Sequence, residues 1–407
     1  MKQRRRGFFV KLSAAGALLG ALAGVVSVSG CGGGGVSVND TTTAASGDWR
    51  WSLPAGFPVP AVPADNPMST AKVDLGRYLF YDKRLSGNGT LACAGCHFQD
   101  KAFTDGLAVS KGSTGDFTHR SAQHLGNVAY SPTLTWANPS LLTLEKQMEV
   151  PLFSENPVEM GLNDTTKVQV LQRLTALPLY QEKFAAAFAA QASPINWQNI
   201  IRAIASFQRT LITGNSRYDQ FMAGKTALTP SETRGMNLFF GEKAECFHCH
   251  GSFNFNDQVV HASTRVLELP FSNTGLFNIG GTGAFSEPNR GVFELSGLPK
   301  DMGMFRAPSL RNVEVTAPYT HDGSIATLEG MLDFYAAGGR NITSGPNAGD
   351  GRLNPHKSDL ISLIKLDAQE KADIIAFLKT LTDHDFLTKP ALSSPFPAAS
   401  SAASSAP

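Results

Sequence analysis

The sequence predicts a mostly α-helical protein built from two tandem copies of one domain, on three observations. The pentads Cys93-Ala94-Gly95-Cys96-His97 and Cys246-Phe247-His248-Cys249-His250 stand one in each half of the 407 residues. Matched segments flank them in the same order. The segments closing the two halves, Ile204 to Leu211 and Ile374 to Leu381, carry apolar residues at helical spacing. A Cys-x-x-Cys-His pentad is the attachment signature of a c-type haem: two thiols bind the vinyl groups and the His supplies the proximal imidazole. One pentad alone could be a redox dithiol or half a zinc site. Two, each closed by His and together using every cysteine but Cys31, read as two haem sites. The fold class is therefore two cytochrome c-like domains, each binding one covalent haem.

The N-terminus has a separate reading. Arg4, Arg5 and Arg6 precede an apolar stretch from Gly7 to Val28, and Val28-Ser29-Gly30-Cys31 reads as a lipobox in which Cys31 is acylated. A cleaved signal peptide or a membrane anchor is the alternative. Each places the folded part outside the cytoplasm, as a periplasm-facing outer-membrane lipoprotein or a soluble periplasmic protein. Residues 1–31 are then the signal segment, 32–49 a flexible tether, and 389–407 a Ser/Ala/Pro-rich disordered tail. With 35 basic and 34 acidic residues, the chain offers no electrostatic case for nucleic acid. The pentads leave no cysteines for a disulfide framework.

Taken in order, the repeats delimit the domains. Gly76-Arg77-Tyr78-Leu79-Phe80-Tyr81 precedes the first pentad and Gly235-Met236-Asn237-Leu238-Phe239-Phe240 the second. Leu125-Gly126-Asn127-Val128 parallels Leu310-Arg311-Asn312-Val313, and Thr143-Leu144-Glu145 parallels Thr327-Leu328-Glu329. Asp367 and Glu370 form a capping-box pattern ahead of the last closing segment. The domains span 50–215 and 225–388, joined near Gly214 to Thr229.

The duplication also assigns the haem faces. Seven residues beyond Leu144 stands Pro151, and seven beyond Leu328 stands Tyr335. Tyr335 can ligate iron as a phenolate, whereas Pro151 has no ligating atom. One haem is thus predicted six-coordinate, His250/Tyr335, and the other five-coordinate on His97 with an open face. The same count pairs Trp136 with His321, each eleven residues after its matched Leu. Trp136 reads either as an electron relay between haems or as a packed core aromatic. Near Pro151 lie Gln147 and Glu159, an amide and a carboxylate suited to holding peroxide and moving its proton; residues alone read Glu159 as a solvated helix-end charge. Arg306 and Arg311 are candidates for haem propionates or for ordinary ion pairs. His119 and His124 read as structural, Met302 and Met304 as packing rather than ligands, and His248 as pointing away from its own iron.

These residues resemble the bacterial di-haem cytochrome c peroxidase/MauG superfamily across nearly all of the mature chain. Besides the pentads, the carrying motifs are Leu310-Arg311-Asn312, Thr316-Ala317-Pro318-Tyr319, His321-Asp322-Gly323 and Asn156-Pro157-Val158-Glu159-Met160. The resemblance implies Tyr335 as the MauG-type axial ligand, a distal set of Gln147, Pro151 and Glu159, and Trp136 between the haems. It implies a calcium held by Thr316 and Pro318 carbonyls, with Ser121 where the family has Asn. The Gln147 to Glu159 interval is two residues longer than the family's, and Ser113 stands where conventional members carry a loop His. Phe57-Pro58-Val59-Pro60, Leu85-Ser86-Gly87-Asn88-Gly89-Thr90, Thr133-Leu134-Thr135-Trp136-Ala137-Asn138 and Asn273-Thr274-Gly275-Leu276 are similar to the MbnH-like branch. That branch implies hydrogen peroxide as oxidant, a high-valent di-iron state and an MbnP-like partner whose tryptophan becomes kynurenine. The alternatives are a cytochrome c peroxidase fed by a small cytochrome or cupredoxin, and a non-catalytic di-haem electron carrier.

Overall fold

The computed structural model describes residues 48–397 apart from 363. The signal segment with Cys31, the tether to residue 47 and the tail from 398 lie outside the described residues. The helices are α1 (Thr70–Tyr81), α2 (Leu144–Phe153), α3 (Asp164–Thr175), α4 (Pro178–Ala187), α5 (Trp197–Gln208), α6 (Arg217–Met222), α7 (Pro230–Phe239), α8 (Phe247–His250), α9 (Phe293–Ser296), α10 (Leu328–Ala336), α11 (Ala368–Lys379) and α12 (His384–Thr388). Strands β1 (Asn341–Ile342) and β2 (Gly349–Asp350) pair antiparallel. Among the described residues no helix is long and apolar enough to cross a membrane.

The sequence repeats recur as repeated packing. In the first half α1 lies against α5, and in the second α7 lies against α11. A Cβ on Gly76 would stand 1.9 Å from Ala203 O, and one on Gly235 1.9 Å from Asp373 O. Each helix pair thus crosses with backbone against backbone, which requires the matched glycine. Gly235→Ala is expected to force the pair apart and destabilise the protein by about 3 kcal/mol. Denaturant unfolding of the haem-loaded protein checks this; wild-type stability would contradict the crossing.

The other repeats are caps. Thr143 caps α2 and Thr327 caps α10, each hydroxyl accepting the N–H three residues on. Asp367 and Glu370 form the expected capping box on α11. Asn127 and Asn312 both adopt φ +61°, a left-handed turn that Asn tolerates. Asn127 N donates to Leu211 O at 2.7 Å and Asn312 N to Leu381 O at 3.1 Å, tying each turn to the end of its half's closing helix.

One apolar core gathers the first half, including Leu75, Phe80, Phe103, Leu152 and Phe207. A second gathers Phe239, Phe255, Leu328, Leu332 and Phe377. A third, smaller one holds Leu276, Phe277, Phe285 and Phe334, with Tyr335 packed against it.

One expectation is corrected, and Arg311 takes its ion-pair alternative. Composition assigned 389–407 to a disordered tail, yet Leu392 is buried in the first core beside Phe386 and Leu387. Arg77 holds the carbonyls of Pro390 and Ser393 at 2.8 and 2.7 Å. Arg311, a candidate for a haem propionate, is 2% exposed and already saturated. Its guanidinium binds both Asp219 carboxylate oxygens and the Phe253 carbonyl, and lies over the Phe57 and Phe255 rings. It braces α6 against the second half.

Candidate active site

Each pentad presents its histidine in the same way. His97 Nδ1 donates to Phe103 O at 2.6 Å and His250 Nδ1 to Phe255 O at 2.9 Å. A carbonyl partner fixes the tautomer, leaving Nε2 with a free lone pair for a metal. Burial lowers the pKa of both imidazoles, that of His250 to about 4, so both are neutral. The four pentad cysteines form no disulfide. Burial pushes Cys93 and Cys246 up to about 12 and Cys96 and Cys249 to about 11.

Around the second pentad a largely apolar cavity opens. Cys246, Cys249 and His250 line it together with Tyr335, Met331, Leu332 and Phe334 from α10. The Tyr335 phenol is pushed up by burial, and further by the nearby Cys249 and Cys246. Neither Met302 nor Met304 lines this cavity, whereas Tyr335 does. The expected ligand pair thus shares one cavity. Pro151 occupies on α2 the position that Tyr335 occupies on α10.

The distal candidates sit by the first pentad. Met160 N donates to Pro151 O at 3.0 Å, Ser113 N to Glu159 O at 2.7 Å and Gly87 N to Met160 O at 2.8 Å. A Cβ on Gly112 would stand 3.1 Å from Glu159 Cα. These contacts fix the Glu159 backbone beside the end of α2. The residue is half-buried, and partial burial pushes its carboxyl up to about 7. Its carboxylate lies close enough to Cys93 and Cys96 to raise their thiols slightly. The residue-only expectation of a solvated helix-end charge is therefore corrected. Gln147 is half-buried on α2, one helical turn before Pro151.

Trp136 lies on the wall of the second cavity. Its indole Nε1 donates to Ser121 O at 2.9 Å, and its ring meets His321 edge-on at 6.5 Å. The two residues paired by counting are thus in contact with each other. His321 stacks on Phe305 at 3.7 Å, and burial lowers its pKa to about 4. Ser121, Thr316 and Pro318 line the same cavity, with Ser121 Oγ donating to Thr320 O at 3.1 Å. They supply neutral oxygens only, where calcium takes six to eight oxygen ligands.

Arg306 is also at this cavity, buried, and its guanidinium binds Thr135 O and Gln123 Oε1. It has no carboxylate at ion-pair distance among the described residues, and burial brings it down to about 10. The sequence reading missed Asp257, which burial pushes up to about 7 against the pull of Arg306. Its signal was a repeated Phe-x-Asp after each pentad, Phe103-Thr104-Asp105 and Phe255-Asn256-Asp257. Asp105 is satisfied by Ser110 Oγ and Leu107 N, but Asp257 Oδ1 is buried without a partner. His124, its Nε2 donating to Ser309 O at 2.9 Å, lines the second cavity.

The family pattern described as di-haem cytochrome c peroxidase matches residues 70–227. Over 387 residues, 89% of this chain and 95% of the relative, the sequence is 36% identical to the cytochrome-c peroxidase IdrP1 of Pseudomonas sp.. The chain belongs to the di-haem cytochrome c peroxidase/MauG family. It is 29% identical over 361 residues to the methylamine utilization protein MauG of Methylorubrum extorquens, covering 88% of this chain and 91% of that one. A crystal structure of a MauG-like protein associated with microbial copper homeostasis superposes with TM-score 0.84 and 56% identity, covering 85% of this chain and 99% of that one. The family's members are oxidoreductases with two c-type haems. Both pentads fit such a group by their thiol pairs and oriented imidazoles, and at the second an apolar cavity adds buried unpartnered atoms on Gln123, His124 and His321 at its wall.

Proposed function

We propose that this di-haem oxidoreductase uses hydrogen peroxide to oxidise a side chain of a partner protein, as in the MbnH-like conversion of tryptophan to kynurenine. The observation that carries the reading is Tyr335 sharing one cavity with His250 while Pro151 takes the matched place in the first half. The 56% identity to a MauG-like protein associated with microbial copper homeostasis supports it.

When bound, the haems supply iron that accepts oxidising equivalents from peroxide and stores them. Reduction of one peroxide to two waters takes two electrons and two protons, and here the partner supplies the electrons. In domain 50–215, His97 Nε2 would hold the first iron, and Pro151, with no ligating atom, would leave that iron free to take peroxide. The Glu159 carboxylate takes the proton from the inner peroxide oxygen and returns it to the outer one, with Gln147 holding the ligand. In domain 225–388, His250 Nε2 and the Tyr335 oxygen would hold the second iron. Trp136 would carry electrons between the two sites, and Arg306 would meet the carboxylates of a bound haem. The partner therefore never enters a haem pocket. Calcium on Thr316, Pro318 and Ser121, lipidation of Cys31 and a periplasm-facing location complete the proposal; elemental analysis and mass spectrometry of the purified protein test the first two.

Trp136→Phe keeps an aromatic ring but removes the Nε1–H and the easily oxidised indole. It is expected to leave peroxide binding at the first haem intact while the second haem's spectrum stops responding. Stopped-flow absorption checks this, and an unchanged second-haem response would remove Trp136 from the path. The reading as a whole is tested by mass spectrometry of a co-expressed partner after peroxide: an oxidised tryptophan is expected. A cytochrome c peroxidase, the reading favoured by the 36% identity to IdrP1, would instead oxidise ferrocytochrome c and leave the partner unchanged.

A further inference from the structure

Phe103 and Phe255, whose carbonyls aim the two proximal histidines, are both fully buried. Both hold positive φ, 66° and 53°, a conformation that a bulky L-residue keeps only under constraint. The constraint is an aromatic box around each ring. Phe255 is enclosed by Phe239 at 6.0 Å and Phe377 at 6.2 Å, from α7 and α11, and by Tyr218 of α6 at 5.3 Å. Phe103 is met by Phe80 of α1 at 6.0 Å, and Phe80 leans on Phe207 of α5 at 5.3 Å. The remaining wall is Phe386 at 5.6 Å, which comes from α12, beyond the closing helix of the second half. A residue of the opposite half thus completes the box that aims His97.

The segment carrying Phe386 is pinned at both ends. Asp383 N donates to Asn312 Oδ1 at 2.7 Å, and Asp383 Oδ2 accepts from Thr213 Oγ1, Gly214 N and Asn215 N at 2.9 to 3.0 Å. Further on, Tyr81 and Arg77 hold the carbonyls of Leu392 and Ser393. Between these anchors the segment crosses the loop behind His97. Gln99 Nε2 donates to Phe386 O at 3.1 Å and to Lys389 O at 3.0 Å, and Gln99 Oε1 accepts from Ser393 Oγ at 2.7 Å.

We propose that residues 383–393 are a positioning arm for the His97 haem, in which Phe386 closes the box on Phe103 and Gln99 ties the arm to the His97 loop. The second half thereby sets the hydrogen bond on the proximal imidazole of the first. That bond makes the imidazole a stronger donor to iron, and such supporting partners commonly contribute 10- to 100-fold in affinity or activity, about as much as a direct contact. The inference rests on the two-haem assignment alone and is independent of which substrate is oxidised.

The test uses haem-loaded Phe386→Ala, Phe386→Tyr and Gln99→Leu, with Tyr218→Leu as the mirror control on the second half. The readouts are the iron–histidine stretching band of the reduced first haem, the midpoint potential of each haem, and haem content per chain. Phe386→Ala and Gln99→Leu are expected to lower that band's frequency and slow the peroxide reaction by about 10- to 100-fold, with the second haem's potential unchanged. Phe386→Tyr should restore wild-type values, and Tyr218→Leu should move only the second haem. Where Phe386→Ala fails to load two haems, Gln99→Leu carries the test, since it removes the tether and no core ring. First-haem values unchanged in both variants, or equal shifts at both haems, would overturn the proposal.

Discussion

Tyr335→Phe is expected to convert the second haem from six-coordinate to five-coordinate without loss of covalent haem. Tyr335 faces a cavity that also holds Cys246, Cys249 and His250, and burial and the two thiols together push its phenol up. A free phenolate is therefore not sustained there; ionisation requires a cation at the oxygen, which an iron held by His250 would supply. Phe keeps the packing of Tyr335 against Leu276, Phe285 and Phe334 and deletes only that oxygen. Electron paramagnetic resonance should show the low-spin second haem replaced by a high-spin one. Partner oxidation should fall to background, because the second iron loses the ligand that favours its oxidised state. An unchanged resonance spectrum would remove Tyr335 as the ligand.

Glu159→Gln is expected to slow the peroxide reaction by about 10²- to 10⁴-fold, the range for a lost acid–base group. The carboxylate is the proton-accepting form, so the wild-type rate should climb with pH and level off above about 7, where Glu159 is ionised. The Gln variant should be slow and lack that limb. Stability should change in the opposite sense. A carboxyl raised by burial contributes stability that is fully present below its unfolded pKa and lost as pH rises through about 7. Gln carries no charge, so above that pH the variant should gain up to about 3 kcal/mol. A variant that loses both rate and stability at pH 8 would mean that Glu159 is a structural charge.

What was legible in the sequence was whatever repeats. Gly76 and Gly235 recur because each half crosses two helices backbone to backbone. Thr143 and Thr327 recur because each caps the helix that carries Pro151 or Tyr335. Counting from Leu144 and Leu328, beside those caps, led to Pro151 and Tyr335, and counting from Leu125 and Leu310 led to Trp136 and His321. Contacts between the halves left no such trace. That Trp136 and His321 touch, that Asp219 captures Arg311, and that Phe386 reaches Phe103 follow from how the halves pack. The closing arm was misread because its few apolar residues, Phe386, Leu387 and Leu392, stand beside a Ser/Ala/Pro run that dominates the composition. Glu159 was legible only by resemblance: no periodicity places it, and its position is fixed by the distant Ser113, whose N donates to Glu159 O, and by its neighbour Met160, whose N donates to Pro151 O.

The most direct test of peroxide-driven oxidation through two unlike haems is one pair of spectra. Optical and electron paramagnetic resonance spectra of the purified di-ferric protein would be taken before and after stoichiometric hydrogen peroxide, with no reductant present. A mixed high-spin and low-spin resting state that converts to a long-lived oxidised form is the expected result. Two low-spin haems indifferent to peroxide would contradict it.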